Sequence, residues 1–331
     1  MKENKAPKEQ MERHPVRQPS LVSVVIPAHD EASAIAHSIG EVDTVLQSLN
    51  CPYEIVVVDD GSGDATFDIV ARLGDSNRSL RGIRLSRRFG KEAALLAGLE
   101  AAAGDVVITM DADLQHPPSL IPQMLDRWRA GAVVVHGVKR NRDRDSALIR
   151  HFATLFNTVF SISGGIDMRN GSDFKLLDRA AVDVVVKRLP ERRRFYRGLA
   201  GWVGFRQETV PFDVDIRVSG ARKWSLFGLV ELATTAIVSF TSAPLRIVTI
   251  LGLATLVFGI VVSADALWSW FRGYAVSGFV TIIITLLLLG SSIMISLGII
   301  GEYIAKMYDE IKDRPAYLVE SRCGFDKGES D

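Results

Sequence analysis

Asp111-Ala-Asp113-Leu-Gln115 places two carboxylates and a carboxamide at alternate positions, directly after the apolar run of residues 105–110. On a strand, residues i, i+2 and i+4 point to one side. If the backbone stays extended past Met110, three oxygen-bearing side chains face one point. Two unpaired carboxylates this close repel, which raises one pKa, and a divalent ion relieves the repulsion. Hard divalent cations take oxygen ligands of this kind, and Mg2+ commonly shares them with substrate phosphates. Asp111, Asp113 and Gln115 are therefore candidate ligands for Mg2+ or Mn2+ on a diphosphate. A D-x-D pair is common by chance, and the weight of this one comes from its place at the end of an apolar run.

A second acidic cluster, Asp59-Asp60-Gly61-Ser62, closes the run of residues 54–58. A carboxylate at such a strand end can accept hydrogen bonds from a base or a ribose. His29-Asp30-Glu31 closes the run 22–26, and Lys139-Arg140 follows the run 132–136. No G-x-G-x-x-G follows the first run and no G-x-x-x-x-G-K-[ST] occurs, which disfavours a dinucleotide-dependent dehydrogenase and a P-loop NTPase.

The elements that must position these residues follow from the hydrophobic pattern. Short β-branched runs at 22–26, 54–58, 80–85, 105–110 and 132–136 alternate with helical patterns at 32–49, 65–73, 91–103 and near 120–130. That alternation predicts βαβ units and an α/β domain with a mostly parallel sheet. Its strands, buried on both faces, read as unbroken apolar runs. Ligands in such sheets bind beyond the carboxyl ends of the strands, so the four polar clusters are expected to converge on one crevice.

The chain of 331 residues has 39 basic and 39 acidic side chains and no net charge. Nothing in that balance, and no zinc-finger or basic-helix pattern, points to nucleic acid. Cys51 and Cys323 are too few for a disulfide framework and fit a reducing compartment. Residues 1–20 are charged and lack an apolar core, so they read as a disordered arm and not as a secretory signal.

Mean hydropathy is slightly positive, and the apolar excess lies in the last third. Residues 247–264 and 279–300 contain no charge. A hydrocarbon core of ~30 Å needs ~20 apolar residues in a helix. The second run meets that directly, and the first does so when extended through the tryptophans Trp268 and Trp270. Arg222, Lys223 and Arg246 precede the pair, while Lys306, Lys312 and Arg314 follow it, and the loop near 271–278 carries only Arg272. The positive-inside rule then puts both flanks and the α/β domain in the cytoplasm, with two transmembrane helices in the cytoplasmic membrane. Residues 224–245 read as an interfacial amphipathic region.

The ordered set of motifs Val24-Val-Ile-Pro-Ala-His-Asp-Glu31, Val57-Val-Asp-Asp-Gly-Ser62, Phe89-Gly-Lys-Glu92, Asp111-Ala-Asp-Leu-Gln115 and Gly171-Ser-Asp-Phe-Lys175 resembles family 2 glycosyltransferases. Arg194-Phe-Tyr-Arg197, Gly201-Trp-Val-Gly-Phe205, residues 239–245 and Gly298-Ile-Ile-Gly-Glu-Tyr303 extend the resemblance to the polyprenyl-phosphate branch, over roughly residues 20–320. It implies a GT-A type nucleotide-sugar-binding domain over 21–223, two transmembrane helices over 246–303 and a cytoplasmic tail over 304–331. Pro27, Asp30, Glu31, Asp59 and Asp111 would contact the nucleotide sugar. Asp111, Asp113 and Gln115 would hold Mg2+ or Mn2+. Asp173, with Asp113, would be catalytic, as a base or an acceptor-positioning group. Arg140, Arg194, Arg197 and Lys223 would bind phosphates of donor or acceptor.

The implied reaction is inverting transfer of a sugar, with a UDP-sugar as the expected donor, to undecaprenyl phosphate, giving a lipid-linked donor for cell-envelope glycans. A homo-oligomer, a tetramer by resemblance, is the implied assembly. Two departures stand out. Arg88 occupies a position where relatives usually have Asn, and Arg222 replaces a hydroxyl residue before Lys223. The competing readings are a processive polysaccharide synthase and an inactive membrane scaffold. Gln123-Met-Leu-Asp-Arg-Trp128 is one residue too long for the Q-x-x-R-W of processive synthases, and it reads as a surface helix.

Overall fold

The structure, a computed structural model, describes residues 17–139, 171–189, 196, 198–199, 204–212, 243–273, 278–312 and 314–325. Strands β1 (Val22–Ala28), β2 (Tyr53–Asp59), β3 (Leu80–Leu85) and β4 (Val106–Thr109) alternate with helices α1 (Ile35–Gln47), α2 (Thr66–Ser76) and α3 (Lys91–Ala101). Helix α4 (Ile121–Arg129) leads to β5 (Val134–Lys139), and β6 (Gly171–Asp178) leads to the short helix α5 (Arg179–Asp183). Among the described residues, β7 (Gln207–Phe212) and β8 (Val319–Cys323) complete an eight-stranded sheet in the order β7-β5-β6-β4-β1-β2-β3-β8.

Strands β1 to β5 and β7 run one way, while β6 and β8 run against them. The apolar runs become buried central strands because both faces are covered. Val22, Val24 and Ile26 of β1 pack with Ile35, Ile39 and Val42 of α1 and with Met124 and Trp128 of α4. Val25, Val56 and Val58 turn to the opposite face, against Ala94, Leu95 and Leu99 of α3 and Ala181 of α5. Each fully buried Leu or Val of this kind stabilises the fold by about 1.5–3 kcal/mol. Helix α3 sits close on the sheet because Gly98 has no side chain; a Cβ there would collide with Val25.

Glu54 is the exception within β2, a buried acid in an apolar run. Its carboxylate accepts from Ser23 Oγ at 2.5 Å and Ala103 N at 2.7 Å, and it pairs with Arg81 at 2.9 Å. These contacts offset the cost of burying it.

Two long apolar helices follow, α6 (Ala243–Phe271) and α7 (Phe279–Ile311), which pack alongside each other. Each contains a segment long and apolar enough to cross a membrane, Val248–Phe271 and Ile284–Ala305. The 24 residues of the first span about 36 Å at ~1.5 Å per residue. Their side chains stay largely uncovered; Leu253 is 62% and Leu287 65% exposed. After α7 the chain returns to the sheet, and β8 pairs antiparallel with β3, with Ser86 N donating to Leu318 O at 2.9 Å. The sequence reading placed no element there. Of the region read as interfacial, 224–245, residues 224–242 lie outside the described residues, and residues 243–245 begin α6.

Candidate active site

The reversed direction of β6 builds the centre of the site. Register pairs Val106 with Asp178 and Thr109 with Lys175. Two residues further toward the carboxyl edge of β4, Asp173 therefore comes alongside Asp111, although 62 positions separate them in sequence (173 − 111). Thr109 Oγ1 donates to Asp173 O at 2.6 Å and lies 2.9 Å from the buried Tyr196 hydroxyl. Tyr196 N donates to Glu92 Oε2 at 2.8 Å, which ties this residue to α3.

The D-x-D does not continue the strand. β4 ends at Thr109, Leu114 has φ +55°, and Asp113 Oδ1 accepts from Gln115 N at 3.2 Å. An aspartate side chain that bonds the backbone two residues on is a turn device. The expected alternation of Asp111, Asp113 and Gln115 on one strand face is thus replaced by a turn. Asp111 stays at the strand end beside Asp173, and Asp113 sits on the turn.

Lys91, the first residue of α3, joins the two acids. Its ammonium contacts Asp111 Oδ1 and lies 2.5 Å from Asp173 Oδ2. Desolvation pulls this lysine's pKa down, but Asp111 and Asp173 outweigh it and hold it above the ordinary value. The loop that delivers Lys91 is fixed by Asp60, whose buried carboxylate accepts from Phe89 N at 2.7 Å and Gly90 N at 2.9 Å. The local sequence shows neither the Lys91 bridge between the two acids nor the turn of Asp60 toward the Phe89-Gly90 backbone.

His116 also does more than break a strand. It is buried, stacks on Phe174 with centroids 5.3 Å apart, and meets Phe212 edge-on at 5.7 Å. Burial lowers its pKa, opposed by Asp111, so a neutral ring faces the Asp111 backbone amide, with Asp111 N to His116 Nδ1 at 3.4 Å. It fixes the turn that carries the D-x-D.

At the other end of the crevice, Asp59 closes β2 and is fully buried. Its Oδ1 accepts from Ser62 N at 3.2 Å and from the Ser62 hydroxyl. Among the described residues its Oδ2 accepts no hydrogen bond, and it lies 3.7 Å from Arg84 Nε. Burial raises the Asp59 pKa, opposed by Ser62 and then by Arg84 and His29. Asp30, at φ +54°, accepts from Gly63 N at 2.9 Å through Oδ1 and donates its own N–H to Ser62 Oγ at 2.9 Å. Glu31 N donates to Thr66 Oγ1 at 2.9 Å. Pro27 is buried in β1, opposite Val58. The loops after β1 and β2 are thereby stitched into one rim that carries Pro27, Asp30, Glu31 and Asp59. Arg140, Arg194, Arg197 and Lys223 lie outside the described residues.

The order of these parts is specific: a polar rim after β1 and β2, acids after β4, and a third acid delivered by a reversed β6. Residues 23–185 match the family described as glycosyl transferase family 2. The uncharacterized glycosyltransferase sll0501 of Synechocystis is 38% identical over 307 residues, covering 92% of this chain and 96% of its own. The chain belongs to glycosyl transferase family 2. The SfII prophage-derived bactoprenol glucosyl transferase of Shigella flexneri is 36% identical over 90% of this chain and 97% of its own. The putative glycosyltransferase CsbB of Bacillus subtilis is 36% identical over 91% of each. Among solved structures, glucosyl-3-phosphoglycerate synthase from Mycobacterium tuberculosis, in complex with Mn2+, UDP-glucose and phosphoglyceric acid, covers 65% of this chain and 76% of its own. It does so at a TM-score of 0.46 and 19% identity, too loose an overlap to carry residues across.

The protein is thus a glycosyltransferase with the GT-A type of α/β domain, followed by two apolar helices of membrane-spanning length. In this glycosyltransferase the near match to Q-x-x-R-W lies on α4, where Trp128 is buried and its Nε1 donates to Asp178 Oδ2 at 2.8 Å. That tryptophan braces the helix against the sheet. Among the described residues no group of three or more His, Cys, Asp or Glu side chains is arranged to hold a metal ion. Asp111 and Asp113 nevertheless fit a divalent ion in donor chemistry. Both are hard oxygen donors, Asp111 already faces a positive charge from Lys91, and Mg2+ sites commonly use one or two carboxylates plus substrate phosphates.

Proposed function

We propose that this glycosyltransferase moves a sugar from a nucleotide diphosphate sugar, a UDP-sugar in the first instance, onto the phosphate of a polyprenyl phosphate at the membrane surface. One observation carries this reading. Relatives named bactoprenol glucosyl transferase match about nine-tenths of the chain at 36% identity. A soluble acceptor gives no reason for two uncovered apolar helices joined to the catalytic sheet, whereas a long-chain lipid does.

The residues divide the work as follows. Asp59, whose buried Oδ2 faces Arg84 Nε at 3.7 Å, and the rim of Pro27, Asp30 and Glu31 bind the nucleoside. Asp111 and Asp113, with Gln115, would hold Mg2+ or Mn2+, and the ion would supply positive charge to offset the charge that builds on the diphosphate leaving group. Asp173, beside Asp111 and bound to the same ammonium, stands where the sugar would meet the acceptor. A phosphate monoester oxygen is already ionised near neutral pH and needs no general base. Asp173, engaged by Lys91, then serves to position the acceptor and screen its approach. Arg140, Arg194, Arg197 and Lys223 supply the cations that two anionic substrates require. In this reading the catalytic domain and both flanks of the apolar pair lie on the cytoplasmic side, which the basic residues flanking the pair support, and the chain assembles as a homo-oligomer.

The test uses purified full-length protein with several nucleotide sugars. Nucleoside diphosphate release should depend on undecaprenyl phosphate and should not occur with undecaprenol, which lacks the phosphate. Release that is equal with both lipids contradicts the acceptor assignment. Folded protein that is inert with every donor supports the scaffold reading.

A further inference from the structure

Lys91 stands in an electrostatically awkward place. It is the first residue of α3, and a cation at a helix N-terminus opposes the helix dipole. Its backbone is nevertheless pinned there by Asp60 through Phe89 N and Gly90 N. The side chain is 39% exposed, and its ammonium is shared between Asp111 Oδ1 and Asp173 Oδ2. The group therefore sits on one of the two carboxylates assigned to the divalent ion, and on the acid of the acceptor side. A compact ammonium with three donors can hold one acid while releasing another.

Resting on the metal-diphosphate reading above, we infer that Lys91 is the resident counter-cation of this site, holding Asp111 while the nucleotide is absent and yielding it to the divalent ion when the diphosphate arrives. Without nucleotide, the ion must displace an ammonium already paired with its ligand, so the free enzyme binds metal weakly. With nucleotide, the diphosphate supplies further oxygen ligands and new partners for the displaced ammonium, which keeps its contact with Asp173. Metal and nucleotide therefore enter together, and Lys91 is a positioning residue that sets this coupling. Such coupling is reciprocal between the two ligands.

The experiment measures Mn2+ binding to full-length protein by electron paramagnetic resonance, first with no nucleotide present. Two neutral variants, Lys91→Met and Lys91→Gln, are titrated in case one of them fails to fold, and Lys91→Arg retains the charge. The neutral variants should bind Mn2+ at least tenfold more tightly than wild type, and Lys91→Arg should stay within about threefold of it. Unchanged or weaker Mn2+ binding in a folded neutral variant overturns the inference, as does equal tightening in Lys91→Arg. A second series adds UDP. Wild type should then tighten on Mn2+ at least tenfold, and the neutral variants by a smaller factor. Wild type that binds no Mn2+ in either series overturns the metal-diphosphate reading and this inference with it. Coupled binding in wild type with unaltered neutral variants overturns only the role of Lys91.

Discussion

Asp111 and Asp113 share a motif but not a setting. Asp111 is already paired with Lys91, whereas Asp113 Oδ1 caps its own turn. Asp113→Ala is expected to lower metal-dependent transfer by about 10²-fold or more, the scale of removing one preorganised charge-stabilising group. Near-normal turnover of the folded variant would remove the metal assignment. His136 supplies a pH signature away from the site. Burial, reinforced by the Lys175 ammonium 2.9 Å from Nδ1 and opposed by the Gln207 bond, depresses its pKa to about 4. A folded pKa below the unfolded value means that stability is present above the ordinary histidine pKa of about 6.5 and is lost as pH falls toward 4. Melting temperature should fall across that window, and His136→Gln should make the fall shallower; an unchanged slope contradicts this. At this scale Asp30, Asp59, Asp111 and Asp113 were legible because each follows an apolar run, whereas Asp173, near the start of β6, was reached only through the family resemblance. Lys91 and His116 were not, since their roles depend on partners that only the register of β6 and the packing of Phe174 bring near.

The loops depend on backbone positions that few residues tolerate. Gly61, between Asp60 and Ser62, has φ +61°, and a Cβ there would press on the Arg87 and Arg88 backbone. Gly61→Ala combines a left-handed penalty of about 1 kcal/mol or more with an overpacking cost of about the same size. It is expected to destabilise the domain by roughly 2 kcal/mol or more by denaturant unfolding, and to weaken nucleotide binding. Full stability in that variant would contradict the close approach. The strand β8 makes a different element-scale point. Cys323 packs against Gly82, Glu320 lies 3.1 Å from Arg84, and the Tyr317 hydroxyl donates to Glu100. Removing residues 312–331 leaves the edge of β3 open. That truncation should lower the melting temperature and promote aggregation even with both apolar helices retained; unchanged behaviour contradicts a structural role for β8. The central strands were legible as continuous apolar runs. Val319-Glu-Ser-Arg-Cys323 was not, because an edge strand pairs through its backbone and needs little apolar sequence.

For the whole molecule, the feature that matters is the return of the chain from α7 to the sheet. The apolar pair enters after the catalytic region, and β8 follows it within a few residues, so the helices are tied to the sheet at the β3 edge. Membrane-spanning length was plain in the sequence because charge-free runs are easy to read, whereas the tie was not. Replacing residues 243–311 with a flexible linker keeps β8 and should release the protein from membranes. Nucleotide binding should persist while transfer to long-chain lipid falls sharply. Retained transfer would contradict the anchoring argument.

The central claim, one sugar placed on a lipid phosphate, is tested most directly by the mass of the lipid product. Purified protein, undecaprenyl phosphate and the productive nucleotide sugar should yield undecaprenyl phosphate plus one sugar residue, with one nucleoside diphosphate released per product. Saccharides of growing length, or nucleoside diphosphate release with no lipid-linked sugar, would contradict it.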